Sequence, residues 1–257
     1  MIPEQRRAKI LEKLNKKKIY TLDDLTAELG VSRITIQRDV NILEKNELLE
    51  RIHGGIRLKK NTDNSFEKRF NLRLNQNYEK KLEIAKKTLA FINESNNIFL
   101  DSSTTCYILA KELFKKKYFD LNIITTSPAI ICESLRYPNF KIISTGGELR
   151  SDFNIFSGSW VIDFLEKINI GPAFISAAGI TRDGKITYNN KELANTISAV
   201  MTRSSEVNLL IDSSKFYKSG MLVVDEISSC KRIITDSNID KRVISDLSKI
   251  SGLKLAY

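Results

Sequence analysis

The sequence predicts an α+β winged helix-turn-helix domain at residues 1–58 and an α/β domain with a doubly wound, mostly parallel sheet at residues 78–257, joined by a linker at residues 59–77. Three observations support this division. The first stretch holds three helical patterns followed by a glycine-centred hairpin. Residues 59–65 (KKNTDNS) are polar and turn-rich. Beyond residue 98, short apolar runs alternate with helical patterns, which is typical of buried parallel strands between helices.

The helix-turn-helix signature lies at residues 21–49. Leucines spaced i, i+3 and i+7 predict a short helix, and Gly30 follows the last of them, where a helix end needs a residue that tolerates a positive φ. Ser32 then offers a hydroxyl as the N-cap of the next helix. Another helix, predicted from Gln5 to Leu14, lies just upstream. Together these patterns predict a three-helix unit with a glycine turn between its second and third helices.

The third helix has two faces of opposite character. Ile36, Val40 and Leu43, at spacings of four and three, predict its buried face. The other side then presents polar residues suited to contacts with bases and phosphates, namely Ser32, Arg33, Thr35, Gln37 and Arg38. A helix of this kind after a glycine turn is typical of one that lies in the major groove of DNA. Pairs of amphipathic helices also occur in many other folds, so the interpretation depends on the flanking features.

A predicted wing follows the third helix. Residues 48–58 have the pattern of two short strands that turn at His53-Gly54-Gly55. Arg51 on the wing and Arg6 in the first helix are expected to neutralise phosphates, and His53 lies at the wing tip. Residues 1–60 hold 14 Lys and Arg against 9 Asp and Glu, a net charge of +5, whereas the other 197 residues hold 27 against 22. Positive charge is therefore concentrated in this region, as binding to nucleic acid requires.

Composition limits the remaining classes of protein. No apolar run approaches the 18 residues of a membrane span, and the N-terminus lacks the apolar core of a signal peptide. Cys106, Cys132 and Cys230 are odd in number and share no metal-ligand spacing. We interpret them as reduced residues in or near the core of a cytoplasmic protein. With a single histidine in the chain, neither a metal site nor a cofactor is expected.

The segment between the domains has no clear pattern. Residues 66–77 mix apolar and basic side chains without a clean period, so we expect a solvated connector there. The alternative is that Glu67, Arg69 and Arg73 pack against one of the two domains. From Tyr78 a helix resumes, with Leu82, Ala85 and Leu89 on one face.

Seven apolar runs follow this helix. Because they are bounded by helical patterns, they predict buried parallel strands. They lie at residues 98–101, 121–126, 140–145, 173–178, 206–212, 221–226 and 231–236, and the last of them is the final predicted strand. Sheets of this kind bind ligands at the carboxyl ends of their strands.

The first of these strands ends in a run of acid and hydroxyl side chains, Asp101-Ser102-Ser103-Thr104-Thr105, which opens directly into a helix. Hydroxyls and unpaired backbone N–H groups at a helix N-terminus bind anions such as phosphate. Ordinary capping is the alternative, because Ser and Thr are standard residues at that position. A single hydroxyl suffices for a cap, so a run of four favours a phosphate site.

Three other strand ends are also polar. Thr126 follows the second strand, and Gly146-Gly147 follows the third, where backbone amides can approach a ligand closely. Asp212 and Lys215 follow a later strand, where the carboxylate could hold sugar hydroxyls and the ammonium a phosphate. A surface ion pair is the alternative for these two residues. Four polar strand ends at one edge of a sheet predict a small, hydroxylated anion, for which a sugar phosphate fits best.

Short motifs are distributed over both domains. Those of the first domain are Gln5-Arg6-Arg7, the run VSRITIQRD at residues 31–39, and His53-Gly54-Gly55. Those of the second domain are DSSTT at 101–105, TGGELR at 145–150, GITRDGKI at 179–186 and DSSKF at 212–216. Together they resemble the DeoR-type transcriptional regulators over nearly the whole chain. Gln37 stands where that family more usually has an arginine, a change expected to alter base preference rather than abolish binding.

The resemblance carries expectations for the second domain. It implies a sensor domain similar in fold to ribose-5-phosphate isomerase and its relatives. It also implies an effector site lined by Asp101, Ser102, Ser103, Thr104, Thr105, Thr126, Gly146, Gly147, Asp212 and Lys215, with Glu192 as a further member. Residues 193–202 lack the lysine that often follows Glu192 in this family, which leaves the identity of the effector open.

Two main functions remain as hypotheses. The first is a transcriptional regulator, expected to repress a sugar-metabolism operon, that binds double-stranded operator DNA as a homodimer or homotetramer under the control of a phosphorylated sugar. The second is an enzyme like the sugar-phosphate isomerases with an accessory nucleic-acid-binding domain, since fold does not determine function. The attached winged helix favours the first, and without a second carboxylate firmly paired with Asp212 no catalytic residue is assigned. A winged helix used for protein contacts, a third possibility, would leave Arg33 and Arg38 without a polyanion to neutralise.

Overall fold

A computed structural model describes residues 2–17, 19–46, 48–59, 66–93, 97–116, 121–250 and 253–257. The chain divides into two compact units, Met1–Glu79 and Lys80–Tyr257. Most of the polar stretch predicted as the start of the linker, residues 60–65, lies outside the described residues.

The helices alternate with strands through most of the chain. The helices are α1 (Pro3–Lys16), α2 (Leu22–Leu29), α3 (Arg33–Lys45), α4 (Phe66–Asn75), α5 (Tyr78–Thr88), α6 (Thr104–Phe114), α7 (Pro128–Ser134), α8 (Ser159–Glu166), α9 (Lys191–Arg203) and α10 (Lys241–Leu247). Across the described part of the chain, none of them combines the length and apolar character needed to cross a membrane.

Fourteen strands are present among the described residues. They are β1 (Leu49–Ile52), β2 (Gly55–Leu58), β3 (Asn97–Leu100), β4 (Asn122–Thr125), β5 (Lys141–Ser144), β6 (Glu148–Arg150), β7 (Ile155–Ser157), β8 (Ile170–Ile175), β9 (Gly179–Ile180), β10 (Lys185–Tyr188), β11 (Ser204–Leu210), β12 (Leu222–Glu226), β13 (Arg232–Ile234) and β14 (Lys254–Ala256).

The turn between α2 and α3 forms as the sequence predicts. Thr21 caps α2, its hydroxyl accepting from Asp24 N at 3.0 Å. Gly30 ends the helix in the left-handed region at φ 64°, a conformation that residues with a β-carbon adopt only at a cost. Ser32 then caps α3, its hydroxyl accepting from Thr35 N at 3.3 Å. These local contacts set the angle at which α3 leaves the turn.

The predicted wing is an antiparallel hairpin of β1 and β2. Its turn is the pair His53-Gly54, with Gly54 at φ 87°. Tyr20 extends the hairpin, since Tyr20 N donates to Ile56 O at 3.0 Å and Ile56 N donates to Tyr20 O at 2.8 Å. The hairpin is thereby attached to the segment between α1 and α2.

The expectation of a solvated connector at residues 66–77 is wrong for most of that segment. Residues 66–75 form helix α4, in which Phe70 is buried. Leu72 packs against the apolar cluster of the first unit, which α1, α2, α3 and the hairpin build around Leu25 and Ile36. Burial of these side chains stabilises a helix whose own sequence shows no clean period.

The second unit is organised by a seven-stranded sheet in the order β14-β13-β11-β8-β3-β4-β5, in which every neighbouring pair is parallel. The chain starts at β3, moves outward through β4 and β5, and then returns to place β8 on the other side of β3. The direction of winding therefore changes between β3 and β8. In open α/β sheets, the crevice at such a switch point is where ligands bind.

Two of the predicted strands differ from the structure. The run at 221–226 is not a buried parallel strand but antiparallel β12, at the edge of a separate sheet ordered β12-β10-β9. Val223 within it is 58% exposed. An apolar run in this case does not mean that both faces of the strand are buried. The run at 231–236 contains β13 but is not the final strand, because β14 pairs with it.

The three cysteines occupy two kinds of environment. Cys106 and Cys230 are buried, and burial raises the pKa of the Cys230 thiol to about 12. Cys132 is exposed, so the interpretation of it as a core or near-core residue is wrong. It lies on the outer side of α7, in which the residues that face inward include Ile130.

Arg6 makes a contact within the protein, whereas the sequence predicts that it neutralises phosphates. Its guanidinium is buried, and its Nε donates to Asp39 Oδ2 of α3. Arg7 Nη1 lies 3.4 Å from the other oxygen of the same carboxylate. A buried carboxylate is tolerated only when it is paired, and this one joins α1 to α3. The contact is therefore part of the fold of the first unit, and Arg6 is withdrawn from the set of candidate DNA contacts.

We expect Asp39→Ala to lower the free energy of unfolding of the first unit by about 3–5 kcal/mol, because it removes the carboxylate that pairs with the buried Arg6 guanidinium. The matched control is Asp23→Ala, which removes a carboxylate that is 72% exposed and lies 3.5 Å from Arg33. That control should cost less than about 1 kcal/mol. Urea denaturation followed by circular dichroism measures both, and equal losses would show that the Arg6–Asp39 pair has no special role.

Candidate nucleic-acid interface and ligand site

Helix α3 has the two faces that the sequence predicts. Ile36 and Val40 are fully buried against the rest of the first unit. Ser32, Arg33, Gln37 and Arg38 are all exposed, and Thr35 is half-buried beside them. The exposed set combines two arginines with amide and hydroxyl groups, which are the side chains that recognise base edges and phosphates in a major groove.

The charged side chains of this face are weakly engaged by the protein itself. Arg33 Nε lies 3.5 Å from Asp23 Oδ1 of α2, and both side chains are largely exposed. Surface ion pairs of this kind are worth at most about 1 kcal/mol, so Arg33 can exchange Asp23 for a phosphate at little cost.

Arg51 links the wing to α3. Its Nε donates to Glu44 Oε2 at 3.0 Å, and its Nη2 donates to Asn41 Oδ1 at 2.6 Å. Both partners belong to α3, so the contact orients the hairpin against that helix. His53 is exposed at the tip of the hairpin. Contacts of Arg51 and His53 with nucleic acid remain predictions.

In the second unit, the switch point is held together by Asp101, the residue that follows β3. Its carboxylate is buried and accepts from Ser103 N at 2.8 Å and from Ser176 N, directly after β8, at 2.7 Å. Desolvation raises the pKa of this carboxyl, and the hydrogen bonds it accepts oppose that rise. One side chain thus connects the carboxyl ends of the two strands between which the winding reverses.

The hydroxyl run after β3 opens α6. Ser103 is the N-cap, its hydroxyl accepting from Cys106 N at 3.1 Å. Capping therefore uses one hydroxyl of the four, as the sequence argument requires. Thr104 and Thr105 are the first residues of the helix, and Ser102 precedes the cap. These residues, with the N-terminal amides of an eleven-residue helix, are suited to hold a phosphate group.

The ends of β4 and β5 lie on one side of β3. Thr126 is buried, and its carbonyl accepts from Phe156 N of β7 at 2.8 Å. Gly146 and Gly147 follow β5 with φ of 64° and 104°. A β-carbon at Gly147 would lie 2.5 Å from Val161 Cγ2 and 2.7 Å from Ser157 O, so only glycine fits there.

The end of β11 lies on the other side of β3. Asp212 is buried, and its Oδ1 accepts from Ser214 N at 3.1 Å. Lys215 Nζ donates to Ala177 O, in the loop after β8, at 2.8 Å. Burial of Asp212 argues against the alternative of a surface ion pair, and the Lys215 contact brings this loop to the switch point.

Another buried carboxylate, that of Asp236, holds the same loop through hydrogen bonds with Ser213. It follows β13 and accepts from Ser213 N at 2.6 Å and from Ser213 Oγ at 2.8 Å. Lys80 of α5 donates to Ser213 Oγ at 2.7 Å and lies 3.8 Å from the Asp236 carboxylate. The loop that carries Asp212 and Lys215 is therefore tied to α5.

Glu192 lies in the first turn of α9, where its Oε1 accepts from Arg150 Nη1 at 2.8 Å. Its pKa lies below the ordinary value, first because its own backbone N–H donates to it and then because Asn190 and Arg150 are nearby. The arginine partner was not among the residues selected from the sequence.

The loop after β8 is the main part of the candidate ligand site that was not predicted from the sequence. Strands in a sheet lie about 4.8 Å apart, so the ends of β11 and β5, four spacings apart, are separated by about 19 Å at the sheet. A sugar phosphate of the kind predicted from the sequence is shorter than that distance, so we would expect its centre near β3 and β8. Ser176 and Ala177 lie there, in contact with Asp101 and Lys215 respectively. Small residues carry no chemical signature, and only the strand order places these two at the switch point.

Two family models match this chain, one towards its N-terminus and one over most of the rest. A family model described as a DeoR-like helix-turn-helix domain matches residues 6–62. A second, described as the DeoR C terminal sensor domain, matches residues 76–237. The first match lies within the first compact unit, and the second covers most of the second unit.

Similar curated proteins match over most of their length. The "L-fucose operon activator" of Escherichia coli is 31% identical over 84% of this chain and 88% of its own. The "Lactose phosphotransferase system repressor" of Lactococcus lactis is 29% identical over 98% of both chains. The "Glycerol-3-phosphate regulon repressor" of Escherichia coli is 28% identical over 91% of this chain and 90% of its own.

Solved structures are similar only at a distance. A ribose 5-phosphate isomerase A from Methanocaldococcus jannaschii has a TM-score of 0.41 and 16% identity, with 55% of each chain covered.

We expect Gly147→Ala to destabilise the second unit by about 3 kcal/mol or more, because the new β-carbon meets Ser157 O and Val161 at an unfavourable φ. Gly146→Ala is the matched control, since the β-carbon that alanine would add there has no neighbouring atom within 4 Å and only the left-handed φ is penalised. That change should cost about 1–2 kcal/mol. Thermal unfolding compares the two, and a larger loss at Gly146 would contradict the packing at Gly147.

Proposed function

We propose that this chain, which belongs to the DeoR family, is a transcriptional regulator that binds operator DNA through α3 and its wing and is controlled by a phosphorylated sugar bound at the β3–β8 switch point. The observation that carries the proposal is the division of α3 into a fully buried apolar face and an exposed face with Arg33, Gln37 and Arg38. An exposed side of a helix that presents arginine and glutamine is suited to read DNA.

The class of effector follows from the chemistry of the strand ends. The N-terminus of α6 supplies amides and hydroxyls for a phosphate, whereas the Asp101 and Asp212 carboxylates repel anions and accept hydrogen bonds from neutral hydroxyls. A ligand with both kinds of group is a sugar phosphate. The similar proteins are named for fucose, lactose and glycerol-3-phosphate systems, which supports an operon of carbohydrate metabolism as the target.

Control by the effector requires two states of the regulator. A sugar phosphate shifts DNA affinity only by the difference in its own affinity for those states, typically about 1–3 kcal/mol. We propose repression that the effector relieves, since two of the three similar proteins described above are named as repressors. We further propose a symmetric homodimer or homotetramer, which would present recognition helices to half-sites one or two helical turns apart. A regulator of this kind works where its DNA lies, which we propose is the cytoplasm.

We propose that the second unit is a sensor rather than an enzyme. The similar proteins are named as regulators, and Asp212 uses its carboxylate to hold Ser214 within its own loop. Incubation with pentose and hexose phosphates, followed by analysis for isomerised products, would reveal any turnover.

The protein is first used to select its preferred DNA from a random library. Arg38→Ala should weaken binding to that DNA about 5- to 150-fold if the arginine makes a bidentate base contact worth about 1–3 kcal/mol. The melting temperature should stay close to that of the wild type, because the side chain is exposed. Fluorescence anisotropy at several salt concentrations measures the affinity. Arg136→Ala, which removes an exposed arginine from the second unit, is the matched control and should bind normally. Loss of stability instead of affinity would assign Arg38 to the fold.

Thr104→Ala combined with Thr105→Ala should remove the thermal stabilisation that a sugar phosphate confers, while DNA binding is retained. A ligand at 100 times its dissociation constant raises the stability of wild type by about 2.7 kcal/mol, so the loss is measurable by differential scanning fluorimetry. Thr202→Ala, an exposed position at which the hydroxyl bonds only to Ser198 O of its own helix, is the control. If the double variant still responds to the sugar phosphate, the hydroxyl run serves only to start α6.

A further inference from the structure

Two buried hydroxyl groups in the described part of the chain have no hydrogen-bond partner, Ser176 Oγ and Thr235 Oγ1. Both residues are at least 97% buried. Each directly follows a strand of the seven-stranded sheet, β8 and β13 respectively, so both lie at the edge where the strands end. A buried hydroxyl without a partner reduces stability, and its presence calls for an explanation.

Ser176 differs from Thr235 in lying at the switch point. Its backbone is fixed on both sides, because Ser176 N donates to Asp101 Oδ2 at 2.7 Å and Ser176 O accepts from the Tyr188 hydroxyl. The next residue, Ala177, accepts from Lys215 Nζ at 2.8 Å. The serine hydroxyl is thus held in place among the groups predicted to bind the effector while its own hydrogen-bonding capacity is unused.

We propose that the Ser176 hydroxyl is a specificity-determining contact of the effector site, which forms a hydrogen bond with a hydroxyl of the sugar part of the bound sugar phosphate. The inference rests on the proposed function. It adds to the site a residue outside the hydroxyl run, the glycine pair and the Asp212 loop. The unused hydrogen bond is then completed by the ligand, and the cost in the free protein is recovered on binding.

The sugar part, rather than the phosphate, is assigned to Ser176 because of the hydrogen-bond donors that each position offers. Asp101 lies between Ser176 and the start of α6, with its carboxylate bonded to the amides of both Ser176 and Ser103. That carboxylate adjoins both positions, so the number of hydrogen-bond donors distinguishes them. The start of α6 offers the hydroxyls of Thr104 and Thr105 beside its N-terminal amides, which suits a phosphate. The Ser176 amide already donates to Asp101, so Ser176 offers a single hydroxyl, which suits a neutral hydroxyl of the sugar. The phosphate therefore belongs at the N-terminus of α6 and the hydroxylated carbon chain at Ser176.

The test compares Ser176→Ala with Thr235→Val in the full-length protein. Both changes remove a buried hydroxyl without a partner, but only the first lies at the switch point. The probes are inorganic phosphate, glycerol 3-phosphate, ribose 5-phosphate, fructose 1-phosphate and fructose 6-phosphate. Thermal shift identifies the sugar phosphate that stabilises wild type most, and isothermal titration calorimetry then gives dissociation constants for that compound and for inorganic phosphate.

We expect both free variants to melt at or above the temperature of wild type, because each has lost an unsatisfied polar group. Ser176→Ala should bind the sugar phosphate about tenfold more weakly, the loss of one hydrogen bond, with unchanged affinity for inorganic phosphate. Thr235→Val should bind both ligands as wild type does.

Three results would overturn the inference while the proposed function stands. The first is a lower melting temperature of free Ser176→Ala, which would reveal a hydrogen-bond partner within the protein. The second is an unchanged affinity of Ser176→Ala for the sugar phosphate. The third is an equal loss of affinity of that variant for inorganic phosphate, which would place the phosphate at Ser176. Failure of wild type to respond to any sugar phosphate is a different outcome, since it would reject the proposed effector and this inference with it.

Discussion

The candidate ligand site depends on one buried carboxylate. Asp101 accepts from Ser103 N and Ser176 N, which belong to the ends of two neighbouring strands that the chain reaches 75 residues apart. A buried charge is costly unless its hydrogen bonds are made, so the two strand ends are held in one geometry. The start of α6, the loop after β8 and, through Ala177, the side chain of Lys215 are all placed relative to this group.

The same physical device recurs twice. In the first unit, Asp39 is buried and joins α3 to α1 through Arg6. In the second, Asp236 joins the end of β13 to Ser213, and Lys80 adds α5 to the group. Each carboxylate must keep its partners, because an unpaired buried charge would cost several kcal/mol. Acidic residues in this chain are therefore structural connectors as well as candidate ligand contacts, and a ligand that displaced Ser213 would disturb the contact with α5.

Features set by neighbouring residues were predicted well from the sequence. The Gly30 turn, the Ser32 cap, the two faces of α3 and six of the parallel strands are all present as expected. The predictions were wrong where the type of residue suggested one environment but contacts with distant residues set another. Arg6 suggested a phosphate contact and is buried against Asp39, and residues 66–75 suggested a connector and form a helix. The run at 221–226 suggested a core strand and lies at the edge of a small sheet.

The sequence by itself determined the local elements, the polarity of the recognition helix and the residue types at the strand ends, since helical periodicity and capping depend on residues no more than about four positions apart. Only the tertiary structure decided the strand order, and with it the position of the switch point and the location of Ser176 and Ala177 beside it. The physical reason is that these properties depend on pairings between distant parts of the chain. A serine or an alanine looks the same in sequence whether it faces solvent or closes the centre of a binding site.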